Sequence, residues 1–68
     1  MFTICAIQNH KETLYKYIVL KGKESYDFMT GEKIELLKIA PRYLRLKFSN
    51  GDIKSFSFKD SSTFVEIE

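Results

Sequence analysis

The side chains best suited to covalent chemistry in this 68-residue chain are its one cysteine, Cys5, and its one histidine, His10. A cysteine nucleophile needs a neighbouring base, and the base needs a third group that orients it. Cys5 instead lies in the apolar segment Phe2 to Ile7, where burial raises a thiol's pKa and makes it unreactive. His10 follows five residues later, in a polar segment typical of a turn. We therefore expect a buried thiol and a surface histidine, not a catalytic pair.

The carboxylates and glycines also lack the spacing of a catalytic or metal site. Glu32 with Glu35, and Asp52 with Asp60, have polar sequence neighbours that do not shift a carboxyl pKa as acid–base catalysis requires. One cysteine and one histidine do not make a zinc site. The three glycines are isolated turn residues without phosphate-loop spacing. The sequence predicts a non-enzymatic protein with no cofactor and no metal.

Cysteine content and hydropathy indicate the compartment. One cysteine allows no internal disulfide, which is typical of a reducing environment. No apolar run reaches transmembrane length, and the N-terminus lacks a signal-peptide pattern. We expect a single cytoplasmic domain over residues 1–68 with no membrane contact. The excess of lysine over arginine and the frequent isoleucine are typical of AT-rich genomes, such as those of low-GC bacteria and their phages.

The most informative stretch is Arg42 to Phe58, which predicts a β-hairpin that turns at Asn50-Gly51. Asn-Gly between alternating apolar runs is a strong hairpin signal, because both residues tolerate the positive φ of tight turns. One side of the first strand is apolar and is expected to face the core: Leu44, Leu46 and Phe48. The other side is polar and is expected to face solvent: Tyr43, Arg45 and Lys47.

The register of the second hairpin strand depends on the length of the loop. A two-residue loop buries Ile53 and turns Phe56 and Phe58 to solvent. A three-residue loop, residues 49–51, reverses this, and a bulge at residues 54–55 would bury all three side chains. We favour buried Phe56 and Phe58, because two exposed phenylalanines forfeit roughly 3–6 kcal/mol of burial free energy.

Four further segments predict short strands, at Phe2–Gln8, Thr13–Leu20, Ser25–Thr30 and Thr63–Ile67. The first is apolar on both faces, so we expect it to be buried on both. In the second, we expect three side chains in the core: Leu14, Ile18 and Leu20. Tyr15 and Tyr17 are expected on the opposite face.

Residues 32–40 are ambiguous between strand and helix. They are rich in good helix formers, but Pro41 disfavours helix at the residue before it. The apolar parity switches between Leu36 and Leu37, which a strand with a bulge at that point explains. We favour the strand, and a short helix is the alternative.

Six or seven short antiparallel strands predict an all-β fold, a small SH3-like barrel of bent strands. The alternatives are an OB-like barrel and an α+β fold with a short helix at 32–40. A chain of this length is marginally stable, so its core must be well packed.

Positive charge is concentrated on the hairpin. From Lys38 to Lys59 the chain carries six basic residues and one acid, a net charge of +5, within a total of +2. Such a field attracts an acidic partner or a phosphate backbone. Lysine and arginine on exposed strands also serve simply to discourage edge pairing.

We therefore expect a small binding protein, an adaptor or inhibitor, that docks on a protein partner through an exposed Tyr/Arg/Lys strand face or a sheet edge. Tyrosine and arginine are enriched at binding hot spots. The candidate contact residues are Arg42, Tyr43, Arg45, Lys47, Lys54, Tyr15 and Tyr17. Strand edges could also pair two copies of the chain into a homo-oligomer.

The alternative function is nucleic-acid binding by the basic-aromatic hairpin 42–58. Its aromatic rings would stack on bases while its cations contact phosphates. Nucleic-acid modules usually have a pI above ~9, whereas this chain has a pI of about 8.7. A protein partner is therefore ranked first.

Overall fold

Residues 2–67, the part of the chain that this computed structural model describes, form seven β-strands that close into a barrel. The strands are β1 (Phe2–Gln8), β2 (Leu14–Lys21), β3 (Glu24–Asp27), β4 (Lys33–Ala40), β5 (Tyr43–Lys47), β6 (Ile53–Asp60) and β7 (Thr63–Ile67). Strands adjacent in sequence pair antiparallel, and β1 closes the barrel against β7 in parallel. The predicted all-β barrel is confirmed, but the expectation of antiparallel pairing throughout was wrong at this closing pair.

The hairpin of β5 and β6 has the three-residue loop. Phe48 donates its N–H to the Asp52 carbonyl (2.8 Å) and accepts from the Gly51 N–H (2.9 Å). Gly51 has φ +91°, a conformation that glycine adopts without a Cβ clash. Phe56 consequently lies opposite Leu44 and is fully buried, while Ile53 is 50% exposed. The favoured register is confirmed.

The core occupies the interior of the barrel, because alternate residues along each strand point inward. Its buried members are Cys5, Ile7, Ile18, Ile34, Leu44, Leu46, Phe56 and Phe64. Phe48 and Phe58 are partly buried against this cluster. The predicted inward side of β5 is thus confirmed, with Phe48 at its margin.

The segment before Pro41 is strand β4, so the helix alternative was wrong. Leu36 lies opposite Leu46 and Lys38 opposite Arg45, which leaves Leu37 as the extra residue of a bulge. The predicted change of parity between Leu36 and Leu37 is confirmed.

Strand β1 is buried on one face only, so the expectation of two buried faces was wrong. Cys5 and Ile7 point into the core, whereas Phe2 is 60% and Ile4 39% exposed. The barrel is a single wall with one interior, and no second layer of residues 2–67 covers β1 from outside.

Strand β2 also departs from its expected pattern. Ile7 lies opposite Lys16 but Gln8 lies opposite Leu14, so Tyr15 is an extra, bulged residue. The parity of Leu14 is therefore reversed, and Leu14 is exposed instead of buried. Tyr15 meets the buried ring of Phe56 edge-on, with centroids 6.5 Å apart.

The barrel closes with two stretches of strand edge left unpaired. β1 pairs with β7 only over residues 6–8, and β4 pairs with β3 only over residues 33–34. Residues 2–5 and 35–40 therefore have a strand partner on one side only.

Residues 2–67 contain no helix with the length and apolar character needed to span a membrane.

Candidate functional site

The seven predicted contact residues do not share one surface. Tyr43, Arg45 and Lys47 lie on the outer wall of β5, and Tyr17 lies on the outer wall of β2. Tyr15 and Lys54 lie at one end of the barrel, beside the hairpin loop. Arg42 lies at the other end, in the turn between β4 and β5.

The basic face is the outer wall of β4 and β5, formed by Lys38, Tyr43, Arg45 and Lys47. Lys38 and Arg45 lie directly opposite each other on paired strands. Within residues 2–67, no cation of this face lies within 4.0 Å of a carboxylate. Like charges directly opposite each other destabilise a sheet. Lys38 and Arg45 therefore repel each other, whereas Glu35 lies opposite Lys47 on the same wall and offsets part of its positive charge.

The aromatic part of the basic face is already engaged within the protein. The Tyr43 hydroxyl donates to Ser55 Oγ (3.0 Å), and Lys38 Nζ lies 5.6 Å from the centroid of the Tyr43 ring. Tyr43 is only partly exposed, and Phe56 is wholly buried. The face is therefore basic, but it offers no free ring on which a base could stack.

The charged mouth is the barrel end beside the hairpin loop, formed by Tyr15, Lys16, Asp27, Lys54 and Glu66. Lys54 shares the inward parity of the buried Phe56, and its Nζ lies 3.4 Å from Glu66 Oε2. The Tyr15 hydroxyl donates to Glu66 Oε1 (2.6 Å), and Lys54 Nζ lies 5.6 Å from the Tyr15 ring centroid. Lys16 pairs with Asp27 at 3.0 Å.

These contacts shift the pKa values of the charged mouth. The hydrogen bond from Tyr15 lowers the pKa of Glu66 and raises that of Tyr15. The hydrogen bond from Lys16 lowers the pKa of Asp27, against the opposing effect of burial. For Lys54, burial lowers the pKa, but the combined fields of Glu66 and Tyr15 raise it overall. The charges of this mouth satisfy one another, so Tyr15 and Lys54 stabilise the barrel end.

The apolar face is the outer wall of β1 and β2, formed by Phe2, Ile4, Leu14, Tyr17 and Val19. The register places Ile4 opposite Val19 and brings Tyr17 beside them, opposite Ala6. Tyr17 is 46% exposed. The outward positions of β1 in the described range carry no charge, since they are Phe2, Ile4, Ala6 and Gln8. Contiguous exposed apolar surface of this kind marks interaction sites.

Phe28 and Lys21 mark the margins of the apolar face. The Phe28 N–H donates to the Tyr17 carbonyl (3.0 Å), which brings the exposed Phe28 next to this face. Lys21 lies opposite Phe2 on one strand and opposite Glu24 on the next. The uncharged centre of the apolar face is thus bordered by charged residues of both signs, Lys21 and Glu24.

Sequence reasoning found Tyr17 but missed Phe2 and Ile4 as surface residues. β1 is apolar on both faces, a pattern that predicts burial on both. A chain of 68 residues is too short for a second layer over the barrel. The combination of short length and a doubly apolar strand was therefore the signal for an exposed apolar wall.

The two nucleophile candidates lie in different environments. Cys5 is buried in the core, and burial raises the pKa of its thiol. His10 is exposed in the turn after β1. Among residues 2–67 there is no group of three or more His, Cys, Asp or Glu side chains placed to hold a metal ion.

No family model, curated protein or solved structure matches this chain.

Proposed function

We propose that this protein is a non-enzymatic binding protein, an adaptor or inhibitor, that docks on another protein through the apolar face. The supporting observation is the adjacent exposure of Phe2, Ile4 and Tyr17 on β1 and β2. A domain this small has little core to spare. A partner that covers the exposed part of these side chains gains a corresponding share of the ~1.5–3 kcal/mol that full burial of a large apolar side chain is worth. A surface with this composition is expected to be covered when the protein acts.

The composition of the apolar face fits the centre of a protein interface. Interface centres are depleted of charge and enriched in aromatic residues, with tyrosine frequent among hot spots. Tyr17 stands between Ile4 and Leu14 on a wall of paired strands, so its backbone is held before a partner arrives. The partner that fits is a protein with a complementary apolar surface and polar edges.

The proposal is tested by affinity capture from an extract of the native host, with proteins quantified by mass spectrometry. Wild type is compared with the double variant Ile4→Asp/Tyr17→Asp. Ile53→Asp is the matched control, because Ile53 is similarly exposed on β6. A protein retained by wild type and by the control, but lost from the double variant, supports docking at the apolar face. Equal retention by all three overturns it.

Sedimentation velocity on the same three proteins distinguishes a foreign partner from a second copy. We expect wild type to stay monomeric at micromolar concentration, because the apolar face is proposed to fit another protein. A wild-type dimer that the double variant abolishes would overturn the heterologous partner and assign this face to self-association.

Nucleic-acid binding at the basic face is a second candidate, favoured by the unneutralised pair of Lys38 and Arg45. The engaged ring of Tyr43 leaves phosphate contacts without stacking, so any such binding is expected to be non-specific and steeply salt-dependent. Labelled single and double strands titrated at about 50 and 200 mM salt test it. Absence of binding at the lower salt concentration rejects this candidate.

A further inference from the structure

The end of the barrel opposite the charged mouth holds an open apolar cavity of about 480 Å³. Six of the seven strands contribute to its lining, and its apolar walls include Cys5, Leu20, Ile39, Leu44, Phe58 and Phe64. Its polar lining groups in the described range are the hydroxyls of Thr3, Ser61 and Ser62. Small-ligand sites are concave, mostly apolar and about 300–1,000 Å³ in volume. We call this cavity the apolar mouth.

Inward-facing apolar side chains at the apolar mouth are left partly uncovered by the core. Ile39 pairs with the buried Leu44 and has the same inward parity, yet it is 48% exposed. Leu20 and Phe58 are likewise only partly buried against the core. Apolar side chains of the inner wall therefore extend beyond the packed core, and an apolar ligand would cover them.

A cation lies beside the apolar mouth: Arg42 follows Pro41, which lines the cavity, and contacts the ring of Phe58. The guanidinium carbon of Arg42 lies 5.2 Å from the centroid of the Phe58 ring, which forms part of the wall. Within the described residues, no carboxylate lies within 4.0 Å of Arg42. A guanidinium binds a carboxylate through two parallel hydrogen bonds.

Asp60 precedes the lining residue Ser61, but its carboxylate lies more than 4.0 Å from the Arg42 guanidinium. Its charge acts instead on Lys59, whose pKa is raised first by a hydrogen bond with Glu12 and to a lesser degree by Asp60. Arg42 therefore keeps its positive charge for an incoming anion.

We propose that the apolar mouth binds an amphipathic carboxylate, with its alkyl chain in the cavity and its head group on Arg42. Apolar walls with one cation beside them match a molecule that is apolar at one end and anionic at the other. The hydroxyls of Ser61 and Ser62 line the same cavity and are further hydrogen-bond donors for the head group. This site is separate from the apolar face on the outer wall, so it does not depend on the proposed protein docking.

The length of the alkyl chain tests whether the cavity is the binding site. Each methylene that leaves water is expected to improve affinity about fourfold, which corresponds to about 0.8 kcal/mol. Affinity should therefore rise about 15-fold from hexanoate to octanoate and again to decanoate, and should level off once the cavity is full. Decanol has the same chain without the charge, so it should bind more weakly than decanoate.

The experiment is a titration of the isotopically labelled protein with each acid below its micelle concentration, followed by NMR. We expect saturable shifts of the methyl signals of Leu20, Ile39 and Leu44 at the apolar mouth. The methyl signals of Ile4, on the outer wall, should not move. Shifts confined to Ile4 and its neighbours, or shifts that do not saturate, would overturn the site.

Three variants separate the role of Arg42 from general charge effects. Arg42→Gln should weaken decanoate binding about tenfold and leave decanol binding unchanged, whereas Arg42→Lys should retain most of the affinity. Arg45→Gln removes the same charge from the basic face and should bind as wild type does. Equal weakening by Arg42→Gln and Arg45→Gln would show attraction to net charge alone and overturn the assignment of Arg42. Unchanged decanoate binding in Ile4→Asp/Tyr17→Asp is the result that keeps this site distinct from protein docking.

Discussion

The apolar face on β1–β2 and the basic face on β4–β5 are two outer walls of the same barrel with opposite chemistry. Phe2, Ile4 and Tyr17 are exposed on an uncharged surface, whereas Lys38 and Arg45 lie opposite each other and no carboxylate of residues 2–67 lies within 4.0 Å of either. Covering apolar area gains free energy at contact, largely independent of salt. Exposed cations act at longer range and are screened within about 8–10 Å at physiological salt. The interior of the barrel is packed by the inward-facing side chains, so its outward-facing side chains can be of a kind that binds other molecules. The two walls differ in how much they lower the stability of the free protein.

The largest expected effect is on docking at the apolar face. Ile4→Asp with Tyr17→Asp should weaken the partner complex by about 100-fold or more, because hot-spot changes are worth about 2 kcal/mol each. Calorimetric titration with the captured partner measures this loss. The matched change Ile53→Asp should stay within about threefold of wild type, as peripheral substitutions usually do. Comparable losses in both proteins would mean that the apolar face has no special role.

The basic face should show a smaller effect that depends on salt. Arg45→Glu with Lys47→Glu should weaken binding to an anionic partner or strand about tenfold at low salt, and should reduce a nucleic-acid salt slope by about 2. Circular dichroism should show an intact fold, since both side chains are exposed. Lys11→Glu with Lys23→Glu makes the same charge change at two exposed turn residues. An identical loss in that control would indicate net charge as the cause.

Acid should destabilise the barrel itself through the charged mouth. The pKa values of Asp27 and Glu66 are lowered in the folded state, chiefly by hydrogen bonds from Lys16 and Tyr15. A carboxyl with a lowered folded-state pKa adds stability above its unfolded pKa, and this stability disappears as pH falls through the folded value. Urea unfolding from pH 6 to pH 2 should therefore show stability declining below the ordinary carboxyl range of about 4.

Asp27→Asn is the variant that tests this assignment. It should flatten the acid side of the stability profile, whereas the exposed Asp60→Asn should follow wild type. A profile that Asp27→Asn leaves unchanged would show that the ion pair with Lys16 does not contribute. Binding at the apolar face and at the basic face is best compared above the pH range in which these carboxyls titrate. Their protonation then does not change the stability of the barrel between assays.

The smallest expected effect is a gain in stability. Arg45→Glu replaces repulsion from Lys38 by attraction and should stabilise the fold by about 0.3–1 kcal/mol at low salt. For a domain of this size, that gain raises the melting temperature by several degrees at most. Added salt should shrink the difference. A lower melting temperature in Arg45→Glu at low salt would show that repulsion between Lys38 and Arg45 does not destabilise the basic face.

The hairpin could be predicted from the sequence because its signals are local. Asn50-Gly51 marks the turn, and the alternation from Tyr43 to Phe48 sets the inward side of β5. The choice of register followed from the free energy of burying Phe56 and Phe58, and the structure has that register. The bulge at Leu37 could be predicted for the same reason, as a change of parity within one segment.

Features that depend on distant pairing could not be predicted in this way. The extra residue at Tyr15 becomes visible only when β2 is aligned with β1, and it reverses the parity of Leu14. Whether the outward side of β1 is exposed depends on whether a second layer of the chain covers it. The position of Lys54 was open to prediction, because the favoured register gives it the inward parity of Phe56. The prediction of Lys54 on the outer face belongs to the other register and was wrong.

The most direct measurement of the central claim is photo-crosslinking from single positions in host extract. A benzophenone amino acid replaces Tyr17 on the apolar face or, as a control, Ile53 on β6. If the apolar face docks a partner, one protein should crosslink from position 17 and not from position 53. Adding Ile4→Asp should abolish the crosslink from position 17. A partner that crosslinks equally from both positions, or from position 53 alone, would contradict it.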